Sequence, residues 1–337
     1  MFREELFLLS LDEIVKEIRN FIGVKRKQDI AKAINILTQT HQVQDGTNVI
    51  KAFGEDSAVI EIESLSNEYL LLALDGMWEK LIEHSPYLAG YFSILVNIND
   101  IIVKGGKPIA VLNMMATNSL EIQNEMFKGI TDGCKKFKVP MVGGHLHPDS
   151  TYSELAVSIL GIVKKDHVIY SDGAQINDDI IVGVDFDGQF HPKFEYAWDT
   201  TTKKNSKQVY EKYKAIWKIS EKKLATACKD ISNPGMIGTL GMLLDASRKG
   251  GTINFEKIPI PKKIEMKKWL KAYPGFGIVM TSNKSEDVLP ILLDANIHSQ
   301  VIGKVTNTNK LIIRDKNEEH LIFDFEKICL SGKLKSP

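Results

Sequence analysis

Five short segments carry the residues able to do chemistry. Gly54-Glu55-Asp56-Ser57 stands at the entry to an apolar alternating run, and Asp75-Gly76 closes the next such run. Asn97-Ile98-Asn99-Asp100 interrupts a long apolar stretch, and Asn97 and Asp100, three apart, share one helical face. Gly143-Gly144-His145-Leu146-His147-Pro148-Asp149 follows a short apolar run, and Asp230-Ile231-Ser232-Asn233-Pro234-Gly235 precedes a strongly apolar one. A carboxylate among apolar neighbours is costly unless it is paired or coordinates a cation. Hard cations such as magnesium prefer carboxylate oxygens and bridge them to substrate phosphates. A magnesium–triphosphate site therefore accounts for the positions of Asp56, Asp75 and Asp100. Taken singly, each acid reads better as a cap or turn residue; their number and order make the case.

The remaining polar groups leave alternatives open. His145 and His147 with Asp149 suit zinc or iron, a contact to substrate or phosphate, or an ordinary loop. Two histidines without a clear third ligand weigh against a transition metal, and the flanking glycines and proline favour a loop over a strand. Asn233 suits a helix N-cap and Pro234 the first turn. The free amides of such a start bind anions, so Ser232 and Asn233 are either phosphate contacts or part of an ordinary cap.

These groups must be positioned by elements whose signals are local. Ser10-Leu11-Asp12-Glu13 is a capping box, and Leu11, Ile14, Val15, Ile18 and Ile22 follow at helical spacing, with Gly23 as the stop. A second helix is expected over 28–37, and a loop over 41–48. Strands are expected at 58–62, 69–74, 109–115, 139–142 and 155–163, with helices over 88–104 and 121–137 between them. A junction over 171–179 leads to a second set: a strand at 180–184, helices over 203–223 and from Asn233, a glycine-rich apolar segment at 274–279, a helix over 286–294, and strands at 299–303 and 310–313. This divides the chain into a helical extension (1–45), an N-terminal α/β domain (46–170), a C-terminal α+β domain (171–330) and a tail (331–337).

With 337 residues, 43% of them hydrophobic, the chain can bury a sizeable core. Lys plus Arg and Asp plus Glu both number 43, so no basic excess points to nucleic acid. Clusters such as Lys25-Arg26-Lys27 read as solvated surface. The three cysteines, Cys134, Cys228 and Cys329, are too far apart for a zinc ribbon or disulfide framework. The acidic residues after Met1 do not resemble a signal peptide, and no window is apolar enough for a membrane span. The expectation is a cytoplasmic protein with no membrane or nucleic-acid partner.

In order, these motifs resemble the superfamily of aminoimidazole ribonucleotide (AIR) synthetase, thiamine-monophosphate kinase, selenophosphate synthetase and the hydrogenase maturation dehydratase. Gly54-Glu55-Asp56-Ser57-Ala58-Val59 looks like its Gly-Asp-Asp-Ala-Ala-Val, and Asp75 takes the place of the next aspartate. Asn97-Ile98-Asn99-Asp100-Ile101 with Gly105-Gly106-Lys107-Pro108 looks like its Asn-Asp-(Ile/Leu) and Gly-Gly-x-Pro motifs. Gly143-Gly144 matches the start of its Gly-Gly-Asp-Thr, and the 173–179 segment resembles its inter-domain motif. Asp230 to Gly235, Gly275-Phe276-Gly277 and Val301-Ile302-Gly303 complete the series. Leu88-Ala89-Gly90-Tyr91 and the Gly-Gly-His-x-His-Pro stretch look most like the selenophosphate-synthetase-related group.

The resemblance implies an α/β (α+β) two-domain fold, a homodimer whose N-terminal domains join their sheets into a barrel, and ATP with Mg2+ between the domains. It implies an ATP-dependent kinase or synthetase that phosphorylates an oxygen or similar atom of a small-molecule substrate. Asp56, Asp75 and Asp100 would hold Mg2+, and Asp230 and His145 would face the acceptor. Gly54, Glu55, Asn97, Asn99, Gly143, Gly144, Ser232 and Asn233 would contact the nucleotide. Departures bear on the reaction. No cysteine lies near the N-terminus, as selenophosphate synthetase needs. Cys329 is not at the extreme C-terminus, as the dehydratase needs. His145 replaces a metal-binding aspartate and Asn233 an aspartate of the kinase, implying fewer magnesium ions or a different phosphoryl geometry. A nucleotide or metabolite sensor or maturation scaffold without turnover is the alternative, and thiamine-monophosphate kinase-like activity a second one.

Overall fold

The computed structural model describes residues 10–37 and 44–332. The acidic N-terminus, the start of the expected 41–48 loop and most of the tail lie outside them. Helix α1 (Leu11–Asn20) begins at the expected capping box, Ser10 and Glu13 each satisfying the other's backbone amide. It stops at Phe21, which adopts extended backbone, rather than at Gly23. Gly23 instead lies inside α2 (Ile22–Leu37), which starts earlier than the 28–37 pattern suggested. There its missing side chain lets the helix abut the Asn233 carbonyl, which an added Cβ would approach to 2.1 Å.

The first α/β layer comprises β1 (Thr47–Lys51), β2 (Ala58–Ile62), β3 (Glu68–Gly76), α3 (Glu79–His84), α4 (Pro86–Ile102), β4 (Lys107–Ala116), α5 (Leu120–Phe137), β5 (Met141–His147) and β6 (Glu154–Lys164). Their strands form one sheet in the order β1-β2-β3-β6-β4-β5. Strand β1 falls partly in the expected loop, because Thr47, Asn48 and Val49 pair in register with Ile62, Glu61 and Ile60. Strand β5 runs through Gly143, Gly144 and both histidines instead of stopping at the glycines, its backbone paired in parallel with β4. Period-two alternation sends Leu71, Ala73 and Asp75 of β3 to the inner face and Leu72 and Leu74 to the outer face. Val157 of β6 lies in register with Asp75, and its inner-face neighbours Leu155 and Ile159 are buried in the core that includes α4.

The second half comprises β7 (Asp179–Val184), β8 (Gln189–His191), β9 (Phe194–Asp199), α6 (Ser206–Glu221), β10 (Ala227–Asp230), α7 (Gly235–Ala246), β11 (Gly250–Asn254), α8 (Met266–Trp269), β12 (Tyr273–Pro274), β13 (Gly277–Ser282), α9 (Ser285–Asp294), β14 (His298–Thr306), β15 (Lys310–Asp315) and β16 (Glu318–Asp324). Seven strands form the sheet β10-β13-β7-β14-β11-β15-β16, and β12-β9-β8 form a small one. Helix α7 is buried all round, as its apolar composition requires. The two halves share a core that runs from Ile94 and Ile98 of α4 to Ile278 and Met280 of β13. The Trp217 indole N–H also donates across the junction to the Gly106 carbonyl at 2.6 Å.

The N-terminal helices belong to the second half. Leu11, Ile14, Val15, Ile18 and Val24 are buried in one cluster with α7 and with Ile322 and Phe323 of β16. The Arg19 guanidinium donates to the Ile322 carbonyl at 2.8 Å. Among the described residues no helix is long and apolar enough to cross a membrane.

Candidate active site

Separate stretches of chain deliver the acids to one place. Between β1 and β2 the chain turns at Gly54, whose φ of +94° only glycine adopts without strain. That turn sends Glu55 and Asp56 inward. Asp75 leaves the inner face at the end of β3, and Asp100 occupies the last turn of α4, which packs on β3. Asp230 ends β10 and comes from the other half. One carboxylate oxygen from each of Asp56, Asp100 and Asp230 lies within 4.8 Å of the others. Asp75 joins them through a hydrogen bond with Asp100.

Crowding acids away from water raises their proton affinity. Burial, then the charges of Asp75, Asp230 and Asp56, push Asp100 well above the usual carboxylate range. Burial, then Asp56, push Asp230 up to about 7 against the pull of Lys229. Asp75 is raised by burial, with Lys27 and Asp100 working the other way. The Oδ2 atom of Asp56 is buried without a hydrogen-bond partner. Hard oxygen donors, mutual repulsion and an orphaned carboxylate oxygen together fit a divalent cation of the magnesium type.

Three lysines that read as unremarkable in the sequence border this cluster. Lys104, wholly buried just past α4, forms an ion pair with Glu55 and donates to the Ser171 hydroxyl at 2.7 Å. The Ser171 amide also donates to Glu55 at 2.8 Å. Burial works against the Glu55 carboxylate, but Lys104, Lys229 and this amide outweigh it and hold its pKa below the ordinary value. Lys229, on β10, is paired with Asp56. Lys27 of α2 contributes positive charge that favours the ionised forms of Asp75 and Asp230. The available signal was a lysine set inside an apolar run, as in Ile101-Ile102-Val103-Lys104 and Ala227-Cys228-Lys229.

The other candidates are distributed. Asn97 is fully buried; its amide donates to the Ser93 carbonyl at 2.8 Å and its Oδ1 has no partner. Asn99 points to the second half, donating to the Gly275 carbonyl at 3.0 Å, and its Oδ1 is likewise unpartnered. Helix α7 begins at Gly235 behind Pro234 with no side-chain cap, so Asn233 is not its N-cap. The reason is a turn in which the Gly235 amide donates to the Ser232 carbonyl at 2.8 Å, leaving the Asn233 side chain exposed. Gly143 and His145 pair with Leu112 and Met114 of β4 and take the outer face, opposite Asp75 and Asp100, while Gly144 takes the inner face beside Asn113. The His145 and His147 rings lie 4.5 Å apart between centroids on that outer side. Strands β6 and β4 also separate β5 from β3. Within one chain, neither histidine joins the acids.

Residues 54–163 match the family model for the AIR synthase related protein, N-terminal domain, and residues 198–316 match that for the C-terminal domain. An uncharacterised protein of Methanocaldococcus jannaschii is 44% identical, covering 96% of this chain and all of its own length. The chain belongs to the AIR synthase-related family. Within this family, the thiamine-monophosphate kinase of Buchnera aphidicola subsp. Schizaphis graminum is 27% identical over 85% of this chain and 93% of that one. The Thermotoga maritima PurL structure complexed with ADP superposes with a TM-score of 0.69 at 15% identity, over 82% of this chain. This chain spans 46% of that one, and the likeness is one of fold.

Proposed function

We propose that the protein is an ATP- and Mg2+-dependent phosphoryl-transfer enzyme that activates an oxygen, or a similar heteroatom, of a small molecule. The observation that carries this reading is the convergence of Asp56, Asp100 and Asp230 from both halves of the fold, with Asp75 bound to Asp100. A family relative is a kinase, and a structural neighbour was solved with ADP. In this reading Asp56, Asp100 and Asp230 hold the ion, and Asp75 orients Asp100. The ion offsets the charge of the β- and γ-phosphates when bound. Positioning and electrostatics supply most of such catalysis, so the chain's task is to align the phosphate chain and keep water out. Asn97 and Asn99 present free amide oxygens near the same helix end and would orient the nucleotide.

Isothermal titration tests the proposal. ATP is expected to bind with Mg2+ present and much more weakly without it. Asp75→Asn is expected to weaken Mg2+-dependent binding roughly 10–100-fold, as loss of a partner that orients a metal ligand does. Absence of ATP binding with and without Mg2+ ends the reading. Screening ADP release against amide, carboxylate and phosphorylated metabolites then separates an enzyme from a sensor, since a sensor binds without releasing ADP.

The reading includes a homodimer joined through the outer face of the first sheet. Leu72, Leu74 and Leu112 are exposed there, and an apolar sheet face suits a partner better than water.

A further inference from the structure

We propose that Lys229 takes the place of a second divalent ion, so that the acidic site holds one ion per chain. This rests on the divalent-cation reading given above and concerns what the lysine does to that site.

The oxygen types around the Lys229 ammonium are those a hard cation uses. Its Nζ meets the Oδ1 of Asp56, the Gly54 carbonyl at 3.4 Å and the Ser171 hydroxyl at 3.4 Å: a carboxylate, a carbonyl and a hydroxyl. Hard divalent cations choose the same oxygen types. The side chain is 3% exposed, so its charge is not there to serve solubility. Burying a lone ammonium is expensive, and Asp56 offsets that cost. The pairing divides Asp56 between two cations. Oδ1 is committed to Lys229, whereas Oδ2 is buried and lacks a hydrogen-bond partner.

Lys104 extends the arrangement. It shares the Ser171 hydroxyl with Lys229 and neutralises Glu55. Glu55 and one edge of Asp56 are therefore occupied by the protein's own cations. Asp100, Asp230 and the free oxygen of Asp56 remain for an external one. Removing the Lys229 charge would release the Oδ1 of Asp56 together with the Gly54 and Ser171 oxygens as ligands for another ion.

Manganese binding to the full chain without nucleotide, counted by electron paramagnetic resonance, tests this directly. Wild type is expected to bind one Mn2+ and Asp100→Asn to lose it. Lys229→Met and Lys229→Gln are expected to bind a second Mn2+, or to bind the first about tenfold more tightly or better. The glutamine variant keeps a polar group near Ser171 should the methionine variant fail to fold, as checked by circular dichroism. Two Mn2+ ions on wild type overturn the proposal, as do folded Lys229 variants with wild-type stoichiometry and affinity. In that last case the divalent-cation reading survives. No Mn2+ binding to wild type at millimolar concentration sinks both.

Discussion

When Asp230 is protonated, the proton must leave before the carboxylate can ligate a metal. Its pKa of about 7, raised by burial and Asp56, makes that release visible near neutral pH. Divalent-ion affinity is therefore expected to fall by ~10-fold or more per pH unit below 7, where the raised Asp100 adds to the proton that Asp230 must release; titrations at stepped pH check this. The stability of the ion-free protein carries the opposite sign. Because the folded-state pKa of Asp230 lies above its ordinary 3.8, the folded state binds the extra proton. Its contribution to stability is lost as pH rises from about 4 through about 7. A falling melting temperature over that range, abolished by a saturating divalent ion, is the expected outcome. Glu55 and Lys104 make a different residue-scale prediction. Lys104→Met leaves a buried carboxylate without its ammonium and is expected to cost ~3–5 kcal/mol, with Glu55→Gln added to Lys104→Met recovering much of it. Denaturant titration of the two variants checks this. The acids were legible in the sequence because each borders or interrupts an apolar run. The lysines were not, because charge alone reads as surface and only the tertiary fold reveals what covers Lys104 and Lys229.

At the scale of elements, α4 and the turn at Gly54 do most of the positioning, and both were readable: one as a long apolar helix interrupted by Asn97 and Asp100, the other as a glycine before a strand. Strand β5 was harder. Glycine pairs usually end strands, yet here edge pairing to β4 carries the backbone through Gly143 and Gly144, which alone decides that His145 faces away from Asp100. The start of α7 misled for a similar reason. Asn233-Pro234 has the composition of a cap, but a turn leaves the Asn233 side chain exposed, and Gly23 of α2 abuts only its carbonyl. Gly23→Ala is accordingly expected to cost about 1–3 kcal/mol by overpacking. Deuterium exchange should show the uptake concentrated in α1 and α2. Uniform uptake across the chain would contradict the local origin of the effect.

For the molecule as a whole, the unpartnered face of the first sheet sets the expected assembly. Leu74, 68% exposed at its centre, is a sensitive probe. Leu74→Asp would put a charge into a dry interface and is expected to convert a dimer to a monomer in light scattering. A wild-type monomer at tens of micromolar would remove the dimer from the functional reading. The layout of two α/β halves was legible from the order of strands and helices. Their shared core was not, since nothing local in α4 announces a contact with β13.

The seating of α1 on β16 has a consequence for how the chain is made. A ribosome releases α1 early, and the strand it will lie against emerges some three hundred residues later. Until then Leu11, Ile14, Val15 and Ile18 lack the part of their native cover that β16 supplies. The completed second half is what the nascent helix waits for, so α1 is among the last elements to reach its final place.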